Sequence, residues 1–333
     1  MVLPRRRRAS VVLLALLLLS RAASGSSPDP PGRMADVGGH RIHVDCRGTG
    51  GPTVVVESGL GDFSFDWALV QSKVATRTRI CTYDRAGYAW SEPGPMPRTF
   101  DQLNLELRDA LAKLGETPPF VLVGHSFGGP VVRNFAALSP SDVAGMVLVD
   151  SVFEDQRVTI QGKAVRLREG ATGKPIPPPR RGPGESAPPP RVETGPPPAL
   201  DPLYRRLPER EQGFQMWAQS LPGLQQAENS QREWSSEYFE RMHAAPSRGT
   251  LGAIPLIVLT RARGGYSDKL DVPAAELERE RLAGQSSLAA LSTRGRHVVL
   301  ECGHNMELEA PEEVARAIED VVNKARADSK SVR

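Results

Sequence analysis

Cysteine is scarce: the 333-residue chain has three, Cys46, Cys81 and Cys302. Their odd number and wide spacing exclude a disulfide framework and a thiolate metal site. One bridge remains open, between a pair the spacing does not name. Long hydrophobic runs are missing as well. Val11–Leu19 is nine residues long, whereas a membrane-crossing helix needs about 20. A charge excess of one sign is also lacking, with 42 basic and 39 acidic side chains. Five of the arginines lie within residues 1–24, which hold no acid; the remaining 37 bases and 39 acids leave a net −2. Nucleic-acid binding therefore has no electrostatic footing. Hydrophobic content of 39% and charge of 24% fit a soluble globular chain and exclude a polytopic membrane protein or full disorder. The length suffices for one large domain or two modest ones around a buried core.

What is present begins with an export-signal pattern. Arg5–Arg8 form a positive stretch, Val11–Leu19 an apolar one, and Ala22, Ala23, Ser24 and Gly25 a run of small residues. This layout predicts a signal peptide over 1–24, cleaved near Ser24, and a secreted or periplasmic protein without an integral span after its removal. Residues 25–35 then read as a flexible linker.

Beyond residue 36 the chain alternates strands with helices. Apolar, β-branched runs bounded by Gly or Pro occur at 41–46, 53–58, 79–84, 119–124, 146–150, 256–260 and 296–301. Several are apolar throughout, as strands covered on both faces are. Leu103, Leu107, Ala110, Leu111 and Leu114 share one helical stripe; Val314, Ile318, Val321 and Val322 share another. The alternation predicts an α/β fold with a mostly parallel, doubly wound sheet, built from residues 36–150 and 251–325 with a short tail at 326–333. Residues 151–250 interrupt it as an insertion. Lys174–Pro202 carries 12 of the 30 prolines, which predicts an extended or disordered loop. Leu203–Ala245 reads as helices rich in Phe214, Met216, Trp217, Trp234, Tyr238, Phe239 and Met242, suited to cap a substrate pocket.

The chemistry falls at strand ends. Gly124-His125-Ser126-Phe127-Gly128 is a G-x-S-x-G pattern, common by itself, but here it joins an apolar strand to a helical segment. That context predicts a nucleophile elbow with Ser126 on a strained turn. The Phe127 N–H, at the helix start, is then a donor for an oxyanion. A serine hydroxyl needs a base held by a carboxylate. Of six histidines, only His304 follows the last strand, on the same sheet edge as Ser126. Three carboxylates compete for the third place: Asp150, at the end of its strand, Asp268, eight residues past the next one, and Asp155 on the loop after Asp150.

Three stretches together resemble a serine α/β-hydrolase: Gly124–Gly129, Tyr83-Asp84-Arg85-Ala86-Gly87-Tyr88, and Gly303-His304 ahead of Pro311-Glu312. The match covers about residues 36–325 apart from the Pro-rich insert. The resemblance implies the α/β-hydrolase fold, an acyl-enzyme route, and no cofactor or metal. It also implies a second oxyanion donor, the Leu60 N–H in Glu57-Ser58-Gly59-Leu60-Gly61, although Ser58-Gly59 stands where the family usually has His-Gly. Asp84-Arg85 reads as a pair tying loops together, and Asp62, Asp66 and Trp67 as neighbours of the oxyanion loop within reach of substrate. The expected activity is hydrolysis of a small-molecule carboxylic ester or related acyl bond. Carbon–carbon bond hydrolysis, perhydrolysis and acyl transfer use the same triad, and a non-catalytic ligand-binding protein on this scaffold is the alternative from another class.

Overall fold

A computed structural model of the chain describes residues 27–160, 162–184, 199–245, 249–267 and 269–331; Asp268 and residues 1–24, where a signal peptide is expected, lie outside the described residues. The first half of the core runs β1 (Arg33–Asp36), β2 (Arg41–Arg47), β3 (Val54–Glu57), α1 (Ala68–Val74), β4 (Ile80–Tyr83), α2 (Phe100–Leu114), β5 (Phe120–His125), α3 (Gly128–Leu138) and β6 (Val143–Val149). A hairpin of β7 (Arg157–Ile160) and β8 (Lys163–Arg166) opens the insertion, followed by α4 (Glu209–Gln219) and α5 (Leu224–Ala244). The core resumes with β9 (Leu256–Arg261), α6 (Ala274–Ala289), β10 (Gly295–Leu300), α7 (Met306–Glu309) and α8 (Pro311–Ser331).

Eight strands form one sheet in the order β1-β2-β4-β3-β5-β6-β9-β10. β1, β2 and β4 pair antiparallel, and every junction from β4·β3 onward is parallel. This is the α/β-hydrolase fold. Every residue of β3, β4 and β5 is buried, as continuous apolar runs require when helices cover both faces. Val70 and Val74 of α1 and Val314, Ile318, Val321 and Val322 of α8 pack on one face. On the other face lie Leu107 and Leu111 of α2, Phe135 of α3 and Leu288 of α6. The two apolar stripes read from the sequence thus cover opposite sides of the sheet.

Four local results extend or correct the sequence reading. β1 begins at Arg33, inside the stretch read as linker, because its backbone pairs with β2 from Val44 to Arg41. Cys46 and Cys81 face each other across β2 and β4 and form a disulfide, which leaves Cys302 as a free thiol. The insertion contains the β7–β8 hairpin, which period alone does not distinguish from loop. Finally, residues 174–184 of the Pro-rich loop are extended but tied down. Gln102 clamps the Arg180 backbone from both sides: its Nε2 donates to the carbonyl at 2.9 Å and its Oε1 accepts from the N–H at 2.8 Å. Arg181 pairs with Asp109 at 2.6 and 2.8 Å, and His40 Nδ1 meets the Gly182 carbonyl at 3.0 Å. A segment unable to build its own hydrogen-bond ladder is held by side chains of the core. Residues 185–198 of that loop lie outside the described residues.

Phe214, Tyr238 and Phe239 of the insertion are buried, while Trp217 and Trp234 are half-buried. Phe214 meets Trp90 edge-on at 4.9 Å and Tyr238 stacks on Phe100 at 4.3 Å. Met216 instead faces outward, 54% exposed.

Candidate active site

Ser126 follows β5 directly and takes φ 49°, a left-handed conformation unusual for a residue with a side chain. The strained turn is over-determined by hydrogen bonds. The Ser126 N–H donates to the Val149 carbonyl at 3.0 Å, and its own carbonyl accepts from the N–H groups of Gly129 (3.1 Å) and Val152 (3.0 Å). The glycines of the motif are steric necessities. A Cβ on Gly128 would lie 2.2 Å from the Glu57 carbonyl oxygen, and one on Gly124 2.7 Å from Val132. The sequence folds this way because β3, β5 and α3 approach more closely than any side chain permits.

His304 sits on the loop between β10 and α7, and its ring spans two partners. Nε2 lies 3.0 Å from Ser126 Oγ, and Nδ1 2.5 Å from Asp150 Oδ2. Asp150 leaves β6 with φ 37°, which turns its carboxylate toward the His304 loop. Its N–H donates to the Leu259 carbonyl at 2.8 Å, and its Oδ1 accepts from the Arg261 N–H at 3.2 Å. Arg261 Nε, 3.4 Å away, and Arg281, 3.9 Å away, add positive charge. Burial works against the Asp150 charge, yet the His304 hydrogen bond and the charges of His304 and Arg261 hold its carboxyl below the usual carboxylate range. Burial lowers the His304 pKa below the ordinary imidazole value, with the charge of His125 adding to the effect and Asp150 opposing it. The ring is therefore neutral at pH 7, Nδ1 carrying the proton and Nε2 open to accept one. At the base of this loop the Glu309 carboxylate accepts from the Gly303 N–H at 2.8 Å.

The loop after β3 forms the opposite wall. Buried Arg85 donates to the Glu57 carboxylate at 2.7 Å, to the Gly59 carbonyl at 2.8 Å and to the Ser58 carbonyl. The Tyr83 hydroxyl donates to the other Glu57 oxygen. Arg85 also lies 5.3 Å from the Phe127 ring centroid and 3.3 Å from Gln231 of α5. One guanidinium thus joins the β3 loop, the elbow and the cap. Asp84 accepts from His43 Nδ1 at 2.7 Å and from the Ser64 N–H at 2.8 Å. Both residues tie loops together. Phe127 occupies the N-cap of α3, where end N–H groups lack intrahelical partners. Leu60 packs against the cluster of Phe100, Phe127 and Tyr238, beside Ile176 of the Pro-rich strap and Met242 of α5.

Of the carboxylates weighed from the sequence, Asp150 reaches His304, and Asp268 lies outside the described residues. Asp155 instead bonds Arg168 at 2.7 Å and His243 at 2.9 Å within the insertion. Asp66 and Trp67 are buried under the β3 loop rather than open to substrate, and Asp62 turns to His125, 3.1 Å away. Sequence reasoning missed the arginines behind Asp150 and the His125 contacts, which join residues from distant parts of the chain.

Residues 54–317 match the model of the alpha/beta hydrolase family. The uncharacterized protein YqjL of Bacillus subtilis is 34% identical over 120 residues, which cover 36% of this chain and 47% of that protein. An AB hydrolase superfamily protein of Gibberella zeae is 33% identical over 104 residues, 30% of this chain and 32% of that one. The chain spans less than half the length of these curated relatives. Among solved structures, a serine hydrolase involved in carbazole degradation, the CarC enzyme, superposes with a TM-score of 0.58 at 16% identity, covering 87% of this chain and 97% of that one. An esterase from Thermogutta terrifontis gives 0.56 at 19% identity, with 86% and 94% covered. The meta-cleavage product hydrolase CumD of Pseudomonas fluorescens gives 0.58 at 17% identity, with 89% and 98% covered. At these identities the likeness is one of fold.

Proposed function

The chain belongs to the alpha/beta hydrolase family, and from that premise we propose that it is an exported serine hydrolase that cleaves a small-molecule carboxylic ester or related acyl bond. The observation that carries this reading is the contact chain Ser126 Oγ–His304 Nε2–Asp150, with distances of 3.0 and 2.5 Å. Ser126 Oγ attacks the acyl carbonyl while His304 Nε2 takes its proton. Asp150 keeps the His304 proton on Nδ1 and stabilises the imidazolium that forms. The Phe127 and Leu60 N–H groups bind the oxyanion, His304 returns the proton to the leaving alcohol, and the same base then activates water to release the acid.

Labelling with a fluorophosphonate probe tests the nucleophile. The purified protein is expected to label and Ser126→Ala to remain unlabelled, with hydrolysis of p-nitrophenyl esters lost in parallel. A folded wild-type protein that neither labels nor hydrolyses would favour a ligand-binding role for the scaffold.

Export is supported by the Arg5–Arg8 and Val11–Leu19 pattern and by the Cys46–Cys81 disulfide, a bond suited to an oxidising compartment. Mass spectrometry of the protein from the native cell's envelope and medium should find a chain beginning near Gly25. Uncleaved chain confined to the cytosol would refute export.

A further inference from the structure

His125, between the elbow glycine and Ser126, is buried with both ring nitrogens engaged. Nδ1 lies 3.1 Å from Asp62 Oδ2, and Nε2 lies 3.0 Å from the backbone carbonyl of His304. The His304 carbonyl only accepts, and so does Asp62 as a carboxylate. Against an ionised Asp62, a neutral imidazole with its single N–H leaves a lone pair facing one of these oxygens, whereas the doubly protonated ring satisfies both. The surroundings supply the counter-charge. Asp62 comes from the loop after β3, Asp66 from the turn Ser64–Trp67, and Glu307 from α7, with its Oε2 3.7 Å from Nε2. The Trp67 ring meets the imidazole edge-on at 6.3 Å, and the His304 ring centroid is 4.8 Å away.

We infer that His125 is a standing imidazolium and a positioning residue for the reaction: it holds the His304 loop against the β3 loop through two N–H bonds and places a fixed positive charge beside the catalytic base. The inference rests on the proposed roles of Ser126 and His304. Burial works against charge on His125, but Glu307 and Asp62 outweigh it and push its pKa up to about 10. Burial and the neighbouring acids raise the pKa of Asp66 and Glu307 in turn.

Two consequences follow for His304. Its carbonyl is pinned from behind, which fixes the loop that aims Nε2 at Ser126. Its own protonation is also disfavoured, because a second cation would form beside the first. The group must be neutral to act as base, so turnover rises with pH through the His304 pKa, and the His125 charge moves that rise to lower pH.

The test uses the full chain with 15N-labelled histidine, as wild type and as His125→Gln, which keeps a donor for the His304 carbonyl but carries no charge. In wild type, one ring with protons on both nitrogens is expected to persist to about pH 8.5, in keeping with a pKa held well above the ordinary histidine value of ~6.5, and to vanish in His125→Gln. The His304 titration, read in the same spectra, is expected to move up by about one pH unit in the variant. The acid limb of kcat/KM on a p-nitrophenyl ester should move with it, with KM little changed. A His125 that is neutral at pH 7, or a His304 titration that stays in place in His125→Gln, would overturn the inference. If that variant does not fold, Asp62→Asn serves: the doubly protonated signal should then be lost at a lower pH than in wild type, and an unchanged signal counts against the clamp. Failure of the wild type to label with fluorophosphonate would remove the hydrolase reading alone, because the spectra decide the state of His125 without any turnover.

Discussion

Asp150→Asn is expected to lower kcat by roughly a thousandfold to ten-thousandfold, the scale seen when a triad carboxylate becomes an amide. The cause is a tautomer. Asp150 Oδ2 accepts the Nδ1 proton of His304 at 2.5 Å. An asparagine amide at that place donates instead, which turns Nδ1 into the acceptor and moves the ring proton to Nε2, facing Ser126. The base is then blocked at the atom that has to take a proton. The fold should survive, since the Asn carbonyl can still accept from the Arg261 N–H, now 3.2 Å from Oδ1. Steady-state kinetics beside thermal unfolding separate the two effects. Turnover within tenfold of wild type in a folded Asp150→Asn would place the orienting acid elsewhere, with Asp268 the remaining candidate.

The second large effect is on stability. Arg85 and Glu57 are almost fully buried and joined at 2.7 Å. Arg85→Met strands the Glu57 carboxylate and takes a donor from the Ser58 and Gly59 carbonyls. Breaking a buried pair from one side costs about 3–5 kcal/mol, mostly through the uncompensated charge. Urea unfolding should register that loss. The double variant Arg85→Met, Glu57→Leu removes the stranded charge and should recover a good part of it. Its rate of fluorophosphonate labelling should nevertheless stay low, since the loop that carries Leu60 has lost its tie to the elbow and to Gln231. A loss below about 1 kcal/mol in the single variant, the range of a surface pair, would mean that Arg85 is not the tie described.

The strand–helix rhythm was legible because covering a parallel sheet on both faces demands unbroken apolar strands and striped helices, and both patterns are local. Ser126 was legible for a similar reason: a tight strand-to-helix turn requires glycines at fixed offsets. His304 followed from topology, as the histidine after the last strand at the same sheet edge. Beyond these, chain order says little. β1 was read as linker because a four-residue edge strand carries almost no period, and its pairing depends on β2. For the strap at 174–184 composition predicts only an extended or disordered loop, because it lacks self-made hydrogen bonds, while the partners that tie it down, Gln102, Asp109 and His40, lie far away in sequence.

The sequence by itself determined the α/β architecture, the elbow, and the serine and histidine that meet there. Only the tertiary structure decided which carboxylate faces His304, which cysteines join, and that His125 is pinned between Asp62 and the His304 carbonyl. Spacing along a chain sets local geometry, whereas a titratable group's partner and charge depend on close approach between segments 35 to 179 residues apart, and packing alone sets those.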